Sequence, residues 1–443
     1  MIVSDALRSD VLGCYGGGLK TPNIDWLAKN GVLFEGAHST APFTVPSAVS
    51  LLTGNYPTSY IRKTIPVVKW DLPLVVENET LLAEIIKGIG YDVKMDVENR
   101  VAIGQQNMQG FETTKLFNEL TEKEKIYVEN IINIKSKEDY CKKMYGFLSF
   151  LLTTTKDEKF FSLKWILDPH SPYNPPKKFR DEIKVNLSKL SRKENYYSNL
   201  LFTGEVKSLS QYEQRYLKML YEKEVESVDE RVGFILKALQ HKDLLDSTFI
   251  IFTSDHGELF GEHGEWNHGN NFYEELLHIP LIITGPGISQ GKRIKKVVSL
   301  LDVMETVKDL LRIQLPYNSQ GHSLKHLLSG NPIKHFLFSV KNNNFAYFDS
   351  AHESKYNDAL LENNYKLLFL KDNTNELYNL DDDPKESNDI SKEHPQLVSR
   401  MTKKILEIRK ENKMRRESRM GTEEELRFDK DIEEKLKSLG YIQ

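Results

Sequence analysis

"STFIIFTSDHGE", residues 247–258, is the stretch whose reading decides the fold. Its short apolar run, β-branched and aromatic, reads as a buried strand with Asp255 at its carboxyl end. Working outward, "KFFSLKWILD" (159–168) is a second buried strand, ending at Asp168, and "IPLIITGPG" (279–287) is another. Towards the N-terminus, "MIVSD" reads as the end of a buried strand and "VLFEGAHS" (32–39) as a further one. Between them lies the helix "TPNIDWLAKNG", with Thr21 as cap and Gly31 as stop, and a second helix starts at Pro46. "ENETLLAEIIKGIGYDVKMDV" (77–97) adds helix, glycine stop and strand, and a long helical stretch spans roughly 209–241. Strands alternating with helices predict an α/β fold, a mostly parallel sheet with helices on both faces.

Residues 1–330 therefore read as one large domain, with a charged, amphipathic helical insertion at about 115–150 that is expected to lie outside the core. Beyond 330 the texture changes. Short β-like runs, "HFLFSV", "NFAYFD" and "YKLLFLK", separated by Asn and Asp, predict a small antiparallel sheet subdomain over 331–395. The charged tail, 396–443, reads as a solvated helix.

A chain of 443 residues that is 39% apolar and 28% charged, with net charge −4, has an ordinary globular balance and no basic excess for nucleic acid. Two cysteines, Cys14 and Cys141, cannot make a disulfide framework. No apolar run approaches the ~20 residues of a membrane span. The N-terminus lacks a basic region and an apolar region, so the expected location is cytoplasmic. The abrupt strand at Met1 leaves a second reading: a start downstream of the real one, with a leader lost and the location with it. Oligomeric state has no signal in the sequence.

Ligands of open α/β sheets gather beyond the carboxyl ends of the strands. Asp5, Thr44, Asp255 and His256 are delivered to such ends, and two carboxylates, an imidazole and a hydroxyl suit one divalent cation. Taken singly, each has a plainer structural reading: Asp5 and Asp255 as helix caps, His256 as a packed side chain, Thr44 as an N-cap. Thr44 also lies near a helix N-terminus, where free N–H groups favour an anion, and a hydroxyl held there against a cation would become a nucleophile. "GCYGGG" lacks the Lys-Ser/Thr ending of a P-loop and reads as a tight loop. Asp10 and Tyr15 are expected to organise that loop, and His263 and His278 to be structural.

In order along the chain, "SDALRSDVLGCYGG", "TPNIDWLAKNGVLFEGAHS", "PSAVSLLTGNYP", "DPHSPYNPP", "SDHGELFGEHGEWNHG", "YEELLHIPLIITGPG", "VSLLDVMETV" and "ELYNLDDDPKESNDI" resemble the successive signature blocks of the sulfatase family, within the alkaline phosphatase superfamily. The closing "EEKLKSLGYI" resembles the tail of some prokaryotic members. The resemblance implies an alkaline-phosphatase-like core, a smaller C-terminal sheet subdomain, and a metal-bound nucleophile that attacks a sulfate or phosphate ester. By the same resemblance Asp5, Asp255 and His256 match metal ligands and Thr44 the nucleophile. His170 and His268 match positions that contact the substrate oxyanion or leaving group.

The chain departs from the family pattern at the nucleophile. Cys-x-Pro-Ser-Arg is here Thr44-Val45-Pro46-Ser47-Ala48, and threonine, with its β-methyl, cannot yield the formylglycine aldehyde. The second carboxylate of the paired-aspartate motif is Ala6. The Lys-Trp-His block is replaced by "DVENRV", leaving Asn99 or Arg100 as substitutes, and His256 stands for the usual Asn. One carboxylate fewer and one imidazole more suit Mn²⁺, Mg²⁺ or Zn²⁺ better than Ca²⁺. Asp168 and His170 are candidates for a second metal, but one metal is expected. The set resembles superfamily branches that use threonine on phosphorus, including phosphodiesterases.

The expected function is a metal-dependent hydrolase of small-molecule sulfate or phosphate esters acting through Thr44, with phosphoesters favoured. In it His170 stabilises the equatorial oxygens and His268 protonates the leaving alcohol. Two alternatives remain: a phospho-headgroup transferase, against which stands the lack of a membrane span, and a non-catalytic binding protein, against which stands the retained four-residue set.

Overall fold

A computed structural model describes residues 1–59, 61–67, 70–75, 81–98, 109–133, 139–190, 209–269, 271–313, 319–329, 345–349, 356–370 and 374–419. Asn99, Arg100, the "HFLFSV" run and the chain after Arg419 lie outside the described residues.

The large sheet has eight strands: β1 Ile2–Ser4, β2 Gly31–His38, β3 Asp92–Val97, β4 Glu112–Thr113, β5 Phe160–Ile166, β6 Ile250–Ser254, β7 Leu281–Thr284 and β8 Lys292–Ser299. Across the sheet their order is β8-β2-β7-β6-β1-β5-β3-β4. β1 lies at the centre, parallel to both β5 and β6. β7 alone runs antiparallel to both its neighbours. The reason is its connection: the return from β6 holds a short hairpin, Leu259–Phe260 with Trp266–Asn267, and short turns of helix, Glu262–Gly264 and Glu274–Leu277, but among the described residues no crossover helix to carry the chain back to the other end.

The sheet is covered on both faces, so its central strands are apolar on both. Ile250, Phe252 and Ile282 pack on one face with α1 Pro22–Lys29 and α6 Gln211–His241, while Val3, Ile251 and Ile283 pack on the other with α2 Thr44–Thr53, α3 Leu82–Gly88 and α7 Asp302–Leu310. α6 starts at a capping box in which the Ser210 N–H donates to Glu213 Oε2 at 2.9 Å and the Glu213 N–H donates to Ser210 Oγ at 3.4 Å. Thr21 does precede α1, but its hydroxyl makes no cap; it donates to Asp25 at 3.1 Å and accepts from the Gly13 N–H at 3.0 Å.

The 115–150 segment is helical, as α4 Glu122–Ile132 and α5 Asp139–Thr153, but α5 corrects its reading as peripheral. Cys141, Met144, Tyr145, Leu148, Leu151 and Leu152 are all buried in the same core as α6. They recur at the i, i+3, i+4 spacing of a core-facing stripe, which the charges of the segment as a whole conceal. Cys141 is buried and Cys14 half-buried, both free thiols.

The second sheet is an antiparallel meander, β9 Phe345–Asp349, β10 Tyr356–Glu362, β11 Tyr365–Leu370 and β12 Asn375–Asn379. β10 and β11 are joined by Asn363-Asn364, both at positive φ (49° and 69°), which is the backbone of a two-residue hairpin turn whose twist matches that of the strands. α8 Pro395–Arg419 is not merely solvated. Met401 and Ile405 are fully buried against Leu360, Leu367 and Leu377 of this sheet. Asn412 is buried too, donating to Thr58 Oγ1 and accepting from Gln320. No described helix is long and apolar enough to cross a membrane.

Candidate active site

Register brings the two aspartates together. Ser4 pairs with Ser254 across β1 and β6, so Asp5 and Asp255, each one residue further, emerge side by side at the carboxyl ends of the central strands. Ser254 ties the two exits: its hydroxyl donates to Ser4 O at 2.7 Å and accepts from the Leu7 N–H at 2.9 Å. Ala6 turns the chain there at φ 57°, its N–H donating to Asp255 Oδ1 at 3.1 Å. Tyr221 braces that turn from α6, donating to Ala6 O and accepting from the Arg8 N–H, both at 2.9 Å.

Asp5, Asp255 and His256 are fully buried, with ligand atoms within 4.8 Å of one another. His256 Nδ1 faces the Gly257 carbonyl at 2.8 Å, which only accepts, so Nδ1 carries the proton and Nε2 presents a lone pair. That lone pair lies 3.6 Å from Asp5 Oδ1 and 3.4 Å from Asp255 Oδ2. Asp255 Oδ2 has no hydrogen-bond partner among the described residues. Three electron-pair donors thus converge, an arrangement that a cation satisfies. Burial raises the Asp5 carboxyl well above its ordinary range, with the Asp255 charge adding to it, and burial likewise raises Asp255. Burial lowers His256 to about 4. The residues present fit a divalent cation.

Thr44 is the first residue of α2 and does not cap it: Phe43 holds the cap position, without a side-chain bond. The Thr44 hydroxyl turns instead to the acidic cluster, 3.3 Å from Asp5 Oδ1 and 3.2 Å from His256 Nε2. The approach to the helix is pinned by Ser47, whose hydroxyl donates to Ala41 O at 2.9 Å. Ala48 is buried within the helix.

His268 stacks beside His256, ring centroids 4.4 Å apart, and His170 sits 4.8 Å from His268. His170 Nδ1 donates to the Ser171 carbonyl at 2.5 Å. Burial lowers both imidazoles to about 4. All six residues singled out from the sequence are therefore adjacent in the fold. Asp168, the second-metal candidate, is engaged otherwise: it pairs at 2.5 Å with the fully buried Arg231, which also holds Glu98 at 3.0 Å.

Two neighbours have no counterpart in the sequence reading. Trp165 on β5 donates from Nε1 to Asp5 Oδ2 at 3.4 Å. Glu258 is fully buried, and accepts from Tyr173 Oη at 3.0 Å with His268 Nδ1 at 3.0 Å from its other oxygen. Burial pushes its carboxyl up to about 7. An acid directly after "SDHG" was the available signal; its partners, 10 and 85 residues away, were not visible. Among the residues read as structural, His278 stacks on His38 at 5.3 Å and His263 on Tyr273 at 3.6 Å.

Comparison with known proteins places this geometry in context. Residues 1–313 match the family model described as Sulfatase, and residues 261–411 match one described as N-sulphoglucosamine sulphohydrolase, C-terminal. Arylsulfatase K of Xenopus laevis is 46% identical over 97 residues, 22% of this chain and only 18% of that protein. An arylsulfatase of Clostridium perfringens is 24% identical over 383 residues, covering 74% of this chain and 77% of its own. Among solved structures, a phosphonate monoester hydrolase of Agrobacterium radiobacter superposes with a TM-score of 0.70 at 20% identity, over 93% of this chain and 95% of that one, a likeness of fold.

Proposed function

The chain belongs to the sulfatase family, and from that premise we propose that it is a metal-dependent ester hydrolase in which Thr44 is the attacking group and phosphoesters are the favoured substrates. One observation carries the reading: the Thr44 hydroxyl, at the first residue of α2, faces Asp5 and His256. Threonine cannot form the aldehyde on which formylglycine chemistry depends, so the hydroxyl itself must attack. Asp5, Asp255 and His256 would hold a divalent cation, Mn²⁺, Mg²⁺ or Zn²⁺ rather than Ca²⁺, which would supply Lewis-acid polarisation of an ester oxygen and lower the pKa of a nearby hydroxyl.

The protein's own residues account for the rest. Asp5 Oδ1, 3.3 Å from Thr44 Oγ1, is positioned to take the hydroxyl proton. Thr44 Oγ1 bonds to phosphorus as the bond to the leaving alcohol breaks, and a His170 protonated at Nε2 would stabilise charge on the equatorial oxygens. His268, protonated at Nε2, gives that proton to the leaving oxygen, then takes one from the water that displaces Thr44, while Asp5 returns its proton to Thr44 Oγ1. The names of the relatives, arylsulfatases among them, favour sulfate esters as the second reading.

The test is Thr44→Ala, assayed with Mn²⁺, Mg²⁺, Zn²⁺ and Ca²⁺ on p-nitrophenyl phosphate, bis-p-nitrophenyl phosphate and p-nitrophenyl sulfate, with intact-protein mass on the wild type. The expected result is metal-dependent phosphoester turnover, a phosphate adduct on Thr44, and a loss of about 10⁴-fold or more in the variant, the scale of a missing nucleophile. Surviving turnover in Thr44→Ala removes the assignment, and sulfate turnover alone reverses the substrate preference.

A further inference from the structure

Glu258 is the buried ionisable group at this site for which the proposed chemistry has no use. It cannot be an ordinary surface acid, being fully buried, and it makes no ion pair with a lysine or arginine among the described residues; its charged neighbour is an imidazole. Its placement is rigid. The Glu258 N–H donates to Glu275 O at 3.1 Å, and its carbonyl accepts from the Arg8 guanidinium at 3.1 Å. The preceding Gly257 runs so close to the one-turn helix Glu274–Leu277 that a Cβ there would lie 2.0 Å from Glu275 O. Only glycine permits the approach that delivers the carboxylate.

Both oxygens of that carboxylate are committed. Oε2 accepts the Tyr173 hydroxyl proton at 3.0 Å, and Oε1 faces His268 Nδ1 at 3.0 Å. In its ionised form the carboxylate only accepts, and against it the imidazole donates from Nδ1. The consequence falls on the opposite ring nitrogen. With Nδ1 committed to Glu258, Nε2 is the atom that exchanges protons, and the ring is fixed at 4.4 Å from the His256 ring and 4.8 Å from that of His170.

We infer that Glu258 is a positioning residue that holds His268 in its Nδ1–H form and presents Nε2 to the leaving group, with Tyr173 orienting the carboxylate. In an imidazolium formed at Nε2 the same carboxylate is the counter-charge, as in any carboxylate–histidine proton relay. The proton balance is closed: Nε2, bare in the resting protein, takes a proton from solvent, passes it to the leaving oxygen as that oxygen's bond to phosphorus or sulfur breaks, takes one from the incoming water, and returns it to solvent. The inference rests on the ester-hydrolase reading for the role of Nε2, but not for the tautomer.

Two measurements separate these. The first uses the full-length protein labelled with ¹⁵N in its histidine rings, with His268 assigned by its loss in His268→Asn. A protonated Nδ1 and a bare Nε2 are expected in the wild type. Glu258→Gln, whose amide oxygen still accepts, keeps that pattern, whereas Glu258→Ala gives a mixture of tautomers. An unprotonated Nδ1 in the wild type, or an unchanged pattern in Glu258→Ala, overturns the inference; the wild-type spectrum decides it even where Glu258→Ala does not fold.

The second compares phenyl with p-nitrophenyl esters of phosphate and sulfate. Because the poorer leaving group depends on protonation, Glu258→Ala is expected to slow phenyl ester turnover by about 10²-fold and p-nitrophenyl ester turnover by only a few-fold. Equal losses on both esters mean a purely structural role and refute the inference. If Thr44→Ala retains turnover while the tautomer result holds, it is the Thr44 assignment that has failed and not the Glu258 one, and if no ester is turned over by the wild type it is the hydrolase reading.

Discussion

Replacing Asp255 by asparagine isolates what the site's charge does to the whole protein. In the metal-free chain Asp5 and Asp255 are two buried carboxylates side by side, both raised by burial. An acid whose folded pKa is raised binds protons more tightly folded than unfolded, so metal-free stability is greatest below the ordinary carboxyl range. It falls as pH rises towards the folded values and stays low above them. Cation binding reverses this, since a ligand of the folded state alone contributes about 1.4 kcal/mol for each tenfold excess over its Kd, or ~2.7 kcal/mol at a hundredfold. Asparagine keeps the side-chain oxygen that accepts from the Ala6 and His256 N–H groups, at 3.1 and 2.9 Å, and removes one charge.

The assay is urea unfolding of wild type and Asp255→Asn, each loaded with Mn²⁺ and stripped with chelator, at about pH 5 and about pH 7.5. Stripping is expected to destabilise the wild type by ~2.7 kcal/mol at hundredfold saturation, and more at the higher pH than at the lower, where protons compete for the carboxylates. The variant should lose the difference between loaded and stripped protein, and its stripped form should exceed the stripped wild type at the higher pH. A stripped variant less stable than the stripped wild type there, with the metal effect intact, refutes the reading of these residues as one cation site.

The packing makes two further predictions. Tyr221→Phe removes the hydroxyl that serves Ala6 O and the Arg8 N–H, leaving buried backbone groups unmet; a loss of about 1–3 kcal/mol by urea unfolding is expected, together with weaker metal binding, because Asp5 adjoins that turn. Met401→Ala empties a fully buried position under α8; a cost of about 2–5 kcal/mol is expected by thermal unfolding, against the near-zero effect of a solvated helix.

Much of the fold is legible because the signals are local. The run ending at Ser254 is apolar on both sides, which only a doubly covered strand needs, and the Asn-Asp punctuation after residue 330 announces hairpins that Asn363-Asn364 then makes. The segments misread are those where average composition and packing disagree. The segment that holds α5, and α8 itself, carry many charges, yet each helix turns an apolar stripe inward, and the partner that covers a stripe is remote in sequence. The direction of β7 was equally hidden, since it depends on the absence of a crossover and not on the strand itself.

By itself, the sequence determined which chemical groups end the central strands: Asp5 after one buried run, Asp255 and His256 after another, and a hydroxyl at a helix start in Thr44. Strand periodicity and family motif are written into neighbouring residues, so they survive without the fold. Only the tertiary structure decided what those groups face. The Ser4–Ser254 register sets the aspartates side by side, the Gly257 carbonyl fixes which nitrogen of His256 is bare, and Glu258 meets His268 and Tyr173 across three separate segments. Hydrogen bonds and electrostatic shifts act through space over a few ångströms, and the chain brings those atoms within reach only once its sheet has formed.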